Sequence, residues 1–185
     1  PHQPFVGEVW AHHDDVKRPL LEIYQGFRDR DAEADAAAGL ARGYRFGFVA
    51  SSDHLSTRAS WAGVWTTAVD RESIFRAMQS RRTFAATARA TLVLRSGPHW
   101  MGERFVAAAP PTFGARYDGT ARVSAITWVA DGEEHRIEMP PSLDSREWTY
   151  TPDDVTAPGE HRVHVRIEQG DGHRAWSSPL WYTLR

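Results

Sequence analysis

Apolar and polar residues follow two different patterns along the chain, and the pattern changes near residue 97. Before that point, short apolar runs such as residues 20–25 and 45–50 alternate with segments whose apolar residues recur at helical spacing, such as residues 31–42. Asp70 stands where a helix N-cap belongs, ahead of a second helical segment. This succession of strands and helices is typical of a parallel α/β sheet or barrel.

After Gly97-Pro98 only strand signals remain. Apolar residues alternate with polar ones, as in a strand with one buried face, at Val163, Val165 and Ile167. Asp131-Gly132 and Asp171-Gly172 lie between apolar stretches and predict hairpin turns. The pattern predicts a small antiparallel β-sandwich. We therefore expect an α/β segment over residues 1–100 and a β-sandwich over residues 101–185, joined between residues 96 and 111.

Composition narrows the class of protein. The 185 residues include 22 Lys or Arg and 24 Asp or Glu, a net charge of -2, which argues against a polybasic nucleic-acid-binding arm. An apolar fraction of 41% is enough for a core, and the absence of Cys excludes thiolate chemistry. No apolar run approaches the roughly 18 residues of a membrane span. Because the first residue is Pro1 and no signal segment follows, we expect a soluble piece of a longer protein, cytoplasmic or exported.

The most informative local feature is the strand over residues 45–50, which leads through two serines into Asp53 and His54. The carboxyl ends of such strands are where α/β proteins collect catalytic groups. A carboxylate beside an imidazole suits a divalent cation such as zinc or manganese. The alternative is a turn that Asp53 stabilises through backbone N–H groups, with His54 in solvent.

Other residues also admit two interpretations. His2 and the segment 12–15 (HHDD) are either metal ligands or parts of solvated loops, and Glu22 inside an apolar strand either faces a charged partner or points outward. The arginines around the second helical segment either collect a phosphate or form a charged outer face: Arg71, Arg76, Arg81 and Arg82. The late tryptophans either line a sugar-binding face or fill the sandwich core: Trp128, Trp148, Trp176 and Trp181.

In their order, several motifs resemble one family over most of the chain. They are PH at 1–2, LEIYQG at 21–26, GYRFGFVASSDH at 43–54, RESIFRA at 71–77, RRTFAAT at 81–87, MGE at 101–103 and AWSSPLW at 175–181. This series is similar to the C-terminal part of a bacterial protein family of unknown function, related to the polymerase-and-histidinol-phosphatase (PHP) metallophosphoesterases.

The resemblance implies a fold class of α/β plus all-β: a partial PHP-like (β/α) barrel over residues 1–100, followed by a small antiparallel β-sandwich accessory domain. It implies that Asp53, His54 and His2 are metal ligands, with Glu22 at the metal or beside its ligands. His54 follows Asp53 directly, and Leu55 occupies the position where the family has its His. The His-x-His element that opens PHP barrels has no counterpart in this chain.

Two functions follow as hypotheses. The first is a fragment of a metal-dependent, phosphoesterase-like hydrolase, inactive without its missing half, acting on a phosphate ester or another small molecule. The intact protein would then hold a divalent metal (Zn, Mn or Fe) that this fragment binds weakly or not at all; no nucleic-acid partner is expected, and the catalytic residues are not identified. The alternative is a non-catalytic module that binds carbohydrate or protein through its β-sandwich.

Overall fold

A computed structural model describes residues 10–54, 58–140, 142 and 145–185 of the chain, and β-strands dominate them. Its helices are α1 (Glu33–Ala41) and α2 (Arg71–Gln79), with 3-10 turns at Trp10–His12 and Gly26–Arg28. Its strands are β1 (Leu20–Gln25), β2 (Arg30–Asp31), β3 (Gly47–Ser51), β4 (Trp61–Val64), β5 (Thr83–Ala86), β6 (Thr91–Ser96), β7 (His99–Trp100), β8 (Arg104–Ala107), β9 (Phe113–Asp118), β10 (Val123–Ala130), β11 (Glu133–Glu138), β12 (Glu147–Tyr150), β13 (Gly159–Gln169), β14 (Arg174–Ser177) and β15 (Leu180–Leu184).

The strands form three sheets. The N-terminal sheet has the order β2-β1-β3, with β1 and β3 parallel. The large sheet runs β11-β10-β13-β14-β5-β4, and β15 joins it by pairing with β13 and with β8. The small sheet has the order β12-β9-β6-β7. Antiparallel pairs link all neighbours in the large and small sheets except β8 and β15, which are parallel.

The large and small sheets pack face to face and enclose the main core. Alternate residues point into it, for example Leu92 and Leu94 from β6 and Val163 and Val165 from β13, all fully buried. This is the alternation that predicted strands with one buried face, and for β13 the prediction is confirmed. Burying such an aliphatic side chain contributes on the order of 2 kcal/mol, so the two faces hold the sandwich together.

A second core lies on the opposite face of the large sheet. Trp176 and Trp181 point outward from β14 and β15 and pack with Phe48 of β3 and Trp10 under the N-terminal sheet and α1. Gly39 of α1 lets the Trp10 ring approach, since a Cβ atom there would lie 2.5 Å from a ring carbon. The N-terminal sheet and α1, called the N-terminal layer below, therefore form a third layer.

Two local predictions are confirmed. Asp70 caps α2, because its Oδ1 accepts the backbone N–H of Ser73 at 2.8 Å. Asp131 and Gly132 both have positive φ angles, 50° and 101°, and connect β10 to β11 as the turn signal indicated. The left-handed conformation of both residues suits the right-handed twist of the strands that they join.

The predicted PHP-like (β/α) barrel is wrong. Parallel pairing is limited, in the described residues, to β1 with β3 and β8 with β15, whereas β4 and β5 join the sandwich antiparallel. The four residues of β5 are all buried, which is typical of a strand in a parallel sheet covered on both faces. Here the same burial arises because the large sheet has the small sheet on one face and the N-terminal layer on the other.

The β-sandwich is present but larger than predicted. β6 pairs with β9 in the small sheet, and β5 pairs with β14 in the large one. Hydrogen-bonded strands therefore cross the expected boundary between residues 100 and 101. Within the described ranges, no helix follows α2, and no helix has the length and apolar composition to span a membrane.

Candidate functional site

The predicted site lies where the parallel strands β1 and β3 end. Gln25 pairs with Ser51, so the two carboxyl ends meet at one edge of the N-terminal sheet. Glu22 is buried in β1, and its Oε1 accepts a hydrogen bond from the Ser51 hydroxyl. The fold thus places the Glu22 carboxylate beside a donor from the neighbouring strand, which compensates for its removal from water.

Asp53 lies just beyond β3 in the left-handed region, with φ at 61°. Its Oδ1 accepts the backbone N–H of His54 at 2.6 Å and lies 2.6 Å from Nδ1 of the same residue. Its Oδ2 accepts a hydrogen bond from Nε2 of Gln25 at 3.0 Å. The carboxylate therefore ties the turn after β3 to the end of β1.

Among the described residues, the side chains at this edge do not form a divalent-metal centre by themselves. The Asp53 and His54 side chains bond to each other instead of converging on a third point, and 75% of the His54 side chain is exposed. In the described part of the chain, Glu22, Asp53 and His54 are not part of any three-ligand group. A two-metal hydrolase needs ligands from several strand ends. His2 and Leu55 lie outside the described residues.

A different group of potential ligands is present among the described residues. Glu133, His135 and Asp154 offer atoms within 4.8 Å of one another where the β10–β11 hairpin meets the loop after β12. Glu133 and His135 are two residues apart, but Asp154 follows 19 residues after His135, so no local spacing pointed to the whole group. Glu133 and Asp154 are exposed, and water already solvates their charges. The cluster therefore carries no functional assignment by itself.

The HHDD segment belongs to the fold. The His13 side chain is buried, its ring lies edge-on to Trp10 with centroids 5.3 Å apart, and burial lowers its pKa. Asp14 accepts the backbone N–H groups of Lys17 and Val16, which lowers the pKa of its carboxyl. These contacts close a turn before β1.

The arginines around α2 do not converge on one point. Arg76 pairs with Glu72 on the same helix, and Arg82 with Glu103. Arg81 donates to the carbonyls of Arg45 and Asp15, which holds the segment before β1 in place. Each of these three side chains thus has a partner of its own, as in a charged outer surface.

The four tryptophans of the C-terminal half pack in or against the two cores, as the core interpretation predicted. Trp128 and Trp176 are fully buried, Trp181 is 3% exposed, and Trp148 packs against the sandwich core. The prediction that Trp176 and Trp181 are mostly buried is confirmed. They are buried beneath the N-terminal layer, however, and not between the two sheets of the sandwich.

The outer face of the small sheet forms an open groove of about 780 Å³ among the described residues. Its side chains stand in rows across the strands. The first row is Trp100, Arg95, Gly114 and Thr149, and the second is Val93, Arg116 and Glu147. Because directly opposite residues share a face of a sheet, these groups present one continuous surface to solvent.

Two tryptophans and an arginine form one end of this groove. The Trp65 and Trp100 rings are both partly exposed, with centroids 5.9 Å apart. The Trp65 indole N–H donates to the Leu92 carbonyl at 2.8 Å, which fixes that ring over the sheet edge. The Arg95 guanidinium lies 4.7 Å from the centroid of the Trp100 ring, within the range of a cation–π contact.

A signal for this groove was present in the sequence. Gly97-Pro98 is a two-residue turn between β6 and β7, and such a turn pairs Ser96 with His99 and Arg95 with Trp100. We interpreted the same dipeptide as a break between domains. The alternation of Thr91, Val93 and Arg95 with buried leucines also marked an outward face of β6.

Comparisons with known proteins give few matches. No family model matches the chain. An uncharacterized protein of Chlamydia muridarum is 25% identical over 186 residues, which cover 82% of this chain and 29% of that protein, so the chain spans less than a third of its relative. Fibronectin(III)-like modules of Clostridium thermocellum CbhA align with a TM-score of 0.35 and 17% identity, covering 49% of this chain and 93% of theirs. An engineered protein aligns with a TM-score of 0.33 and 16% identity, over 51% of this chain and 20% of its own.

The hydrolase interpretation is corrected by these findings. A phosphoesterase-like, metal-binding barrel is contradicted by the layered β-structure, and no family model supports that activity. The β-sandwich on which the binding-module alternative rested is present. The comparisons do not bear on the relationship to PHP proteins, which stays a prediction.

Proposed function

We propose that this chain is a non-catalytic binding module that holds a polysaccharide on the outer face of its small sheet. The observation that carries the proposal is the groove itself, with Trp65 and Trp100 at one end of it. Large aromatic side chains gain on the order of 2 kcal/mol when they are buried. Two of them left partly open on one face mark a surface that a ligand covers.

The chemistry of the groove suits a carbohydrate. A sugar ring has a face of C–H groups, which packs on an indole, and hydroxyls around its rim, which need donors and acceptors. The groove offers both kinds of contact, since Thr91, Thr149 and Glu147 are exposed elsewhere along it. Indole rings are suited to such contacts because they combine a flat apolar body with little conformational freedom.

The test is binding of the purified chain to a panel of neutral and acidic polysaccharides, by affinity electrophoresis and then calorimetry. The informative variant is Trp100→Ala. The matched control is Trp61→Ala, because Trp61 is also a partly exposed tryptophan with an arginine over its ring, but lies on β4 outside the groove.

We expect Trp100→Ala to weaken binding at least about tenfold, the equivalent of about 1.4 kcal/mol, and Trp61→Ala to bind like the parent protein. Both variants should unfold at nearly the same temperature as the parent. Equal losses in the two variants, or no binding to any polymer of the panel, would refute the proposal.

A further inference from the structure

Resting on the proposed function, we infer that the polysaccharide carries carboxylates of the uronic-acid class, and that Arg95 binds one of them. The proposal concerns the end of the groove formed by Arg95, Trp100 and Gly114. It specifies the charge of the ligand, which the tryptophans leave open, because an indole packs equally well on neutral and acidic sugars.

Arg95 is a positively charged residue of the groove whose charge is not compensated by a carboxylate of the described residues. Its side chain has no hydrogen bond or ion pair with any residue of the described ranges, and its contact is the Trp100 ring. Arg116, in the next row, lies 3.5 Å from a Glu147 oxygen and 3.7 Å from an Asp118 oxygen. Asp118 also pairs with Arg146. The acidic groups of the groove are therefore compensated, and the surplus positive charge is at the Arg95 end.

The geometry prepares Arg95 for a planar anion. The contact with the Trp100 ring restricts the rotamers of the Arg95 side chain, which lowers the entropy lost on binding. A guanidinium donates two parallel hydrogen bonds to a carboxylate, a geometry that a lysine does not provide. This is a stronger contact than a sugar hydroxyl offers to the same group.

Space for the anion lies directly beside Arg95. Gly114 is its partner on β9, and a Cβ atom built on Gly114 would meet no atom within 4 Å. The glycine therefore leaves a gap in the first row, between Arg95 and Thr149. A ligand seated there lies beside Arg95, and the Trp100 ring that supports the guanidinium lies beyond Arg95 in the same row.

The experiment uses polymers that differ only in charge. Polygalacturonic acid and alginate are each compared with their carboxyl-reduced product, in which every carboxylate has become a primary alcohol. The variants are Arg95→Gln, Arg95→Lys and Trp100→Ala. Arg89→Gln is the matched control, because Arg89 is also an exposed arginine over an indole, 5.3 Å from the Trp61 centroid, and lies outside the groove.

We expect the acidic polymers to bind and the reduced ones to bind at least tenfold more weakly. Arg95→Gln should lose about tenfold for the acidic polymers and nothing for the reduced ones, Arg95→Lys should fall between, and Arg89→Gln should match the parent. Binding of the acidic polymers should weaken with added salt, less steeply in Arg95→Gln.

Three other results would overturn either the charge inference alone or both proposals. Equal binding of acidic and reduced polymers that is lost in Trp100→Ala overturns the charge inference and leaves the proposed function standing. Acidic binding that falls equally in Arg89→Gln and Arg95→Gln overturns the inference as well, since it indicates diffuse attraction. Failure of every polymer to bind overturns both proposals.

Discussion

The two outer faces of the sandwich carry the same pair of side chains in opposite circumstances. On the large sheet, Arg174 lies over the Trp176 ring at 5.1 Å, and on the small sheet Arg95 lies over Trp100 at 4.7 Å. The N-terminal layer covers the first pair. Its Glu33 accepts the Trp176 indole N–H at 2.9 Å, and its Asp31 binds Arg174 at 3.0 Å.

Within the described part of the chain, no such layer covers the second pair, and Arg95 is exposed. An arginine over a tryptophan is a structural contact where the chain supplies the carboxylates, and in our proposal it binds a ligand where the described chain does not supply them. In the covered pair, carboxylates of the N-terminal layer occupy the positions that we assign to the ligand in the open pair. The two faces should therefore differ in four measurable ways.

The largest difference should be in stability. Trp176→Ala leaves a large void between the N-terminal layer and the large sheet, and we expect a loss of about 3–5 kcal/mol in the free energy of unfolding. Trp100→Ala should cost less than about 1 kcal/mol because the ring is partly exposed. Urea unfolding followed by far-UV circular dichroism measures both, and equal losses would contradict the comparison.

The covered face should also be sensitive to acid. Nδ1 of His164, on β13 beneath the N-terminal layer, is buried without a hydrogen-bond partner in the described ranges. Burial, with the neighbouring Arg162 and Arg166, lowers the pKa of His164 to about 3. The His164 imidazole takes up a proton near pH 6.5 in the unfolded chain but only near pH 3 in the folded chain. The free energy of unfolding should therefore fall as the pH drops from 6.5 towards 3.

The expected slope for this one proton is at most about 1.4 kcal/mol per pH unit. Replacing the imidazole by a ring that does not titrate, in His164→Phe, should flatten the decline between pH 6.5 and pH 4. The control is His12→Gln, because His12 is exposed. This variant should show the same decline in stability as the parent protein. Urea midpoints across this range provide the measurement, and an unchanged slope in His164→Phe would show that other groups cause the acid sensitivity.

A smaller effect should separate the two arginines. Arg174→Gln removes the ion pair with Asp31 between the layers, and we expect a loss of about 0.5–1 kcal/mol, since the side chain is partly exposed. Arg95→Gln should leave the free energy of unfolding unchanged, because no carboxylate of the described chain pairs with it. Thermal unfolding at low and high salt checks both, and the Arg174→Gln effect should shrink with salt.

The smallest effect on stability belongs to Gly114. Gly114→Val places a β-branched side chain in open space on a strand, and we expect a gain of about 0.5 kcal/mol. The same side chain fills the gap beside Arg95, so the variant should be slightly more stable and yet bind polysaccharide poorly. Retained binding in a folded Gly114→Val protein would place the ligand elsewhere.

Many local elements could be predicted from the sequence because short-range physics decides them. The Asp70 cap, the Asp131-Gly132 turn and the alternation along β13 each depend on a few neighbouring residues and were predicted as observed. For the same reason, the strand at residues 20–25 and a helix after Asp70 could be predicted.

How these elements combine depends on contacts between residues that are distant along the chain. All four residues of β5 are buried, but their sequence does not say whether helices or sheets cover the strand, because the hydrophobic effect has no direction. The partners of Trp176 and Arg174 lie more than 140 residues away in the sequence, at Asp31 and Glu33. The groove depends on strand register, since Arg95, Gly114 and Thr149 become neighbours only when β6, β9 and β12 align. Whether that face stays open depends on which sheet the N-terminal layer packs against, a choice made by contacts distant along the chain.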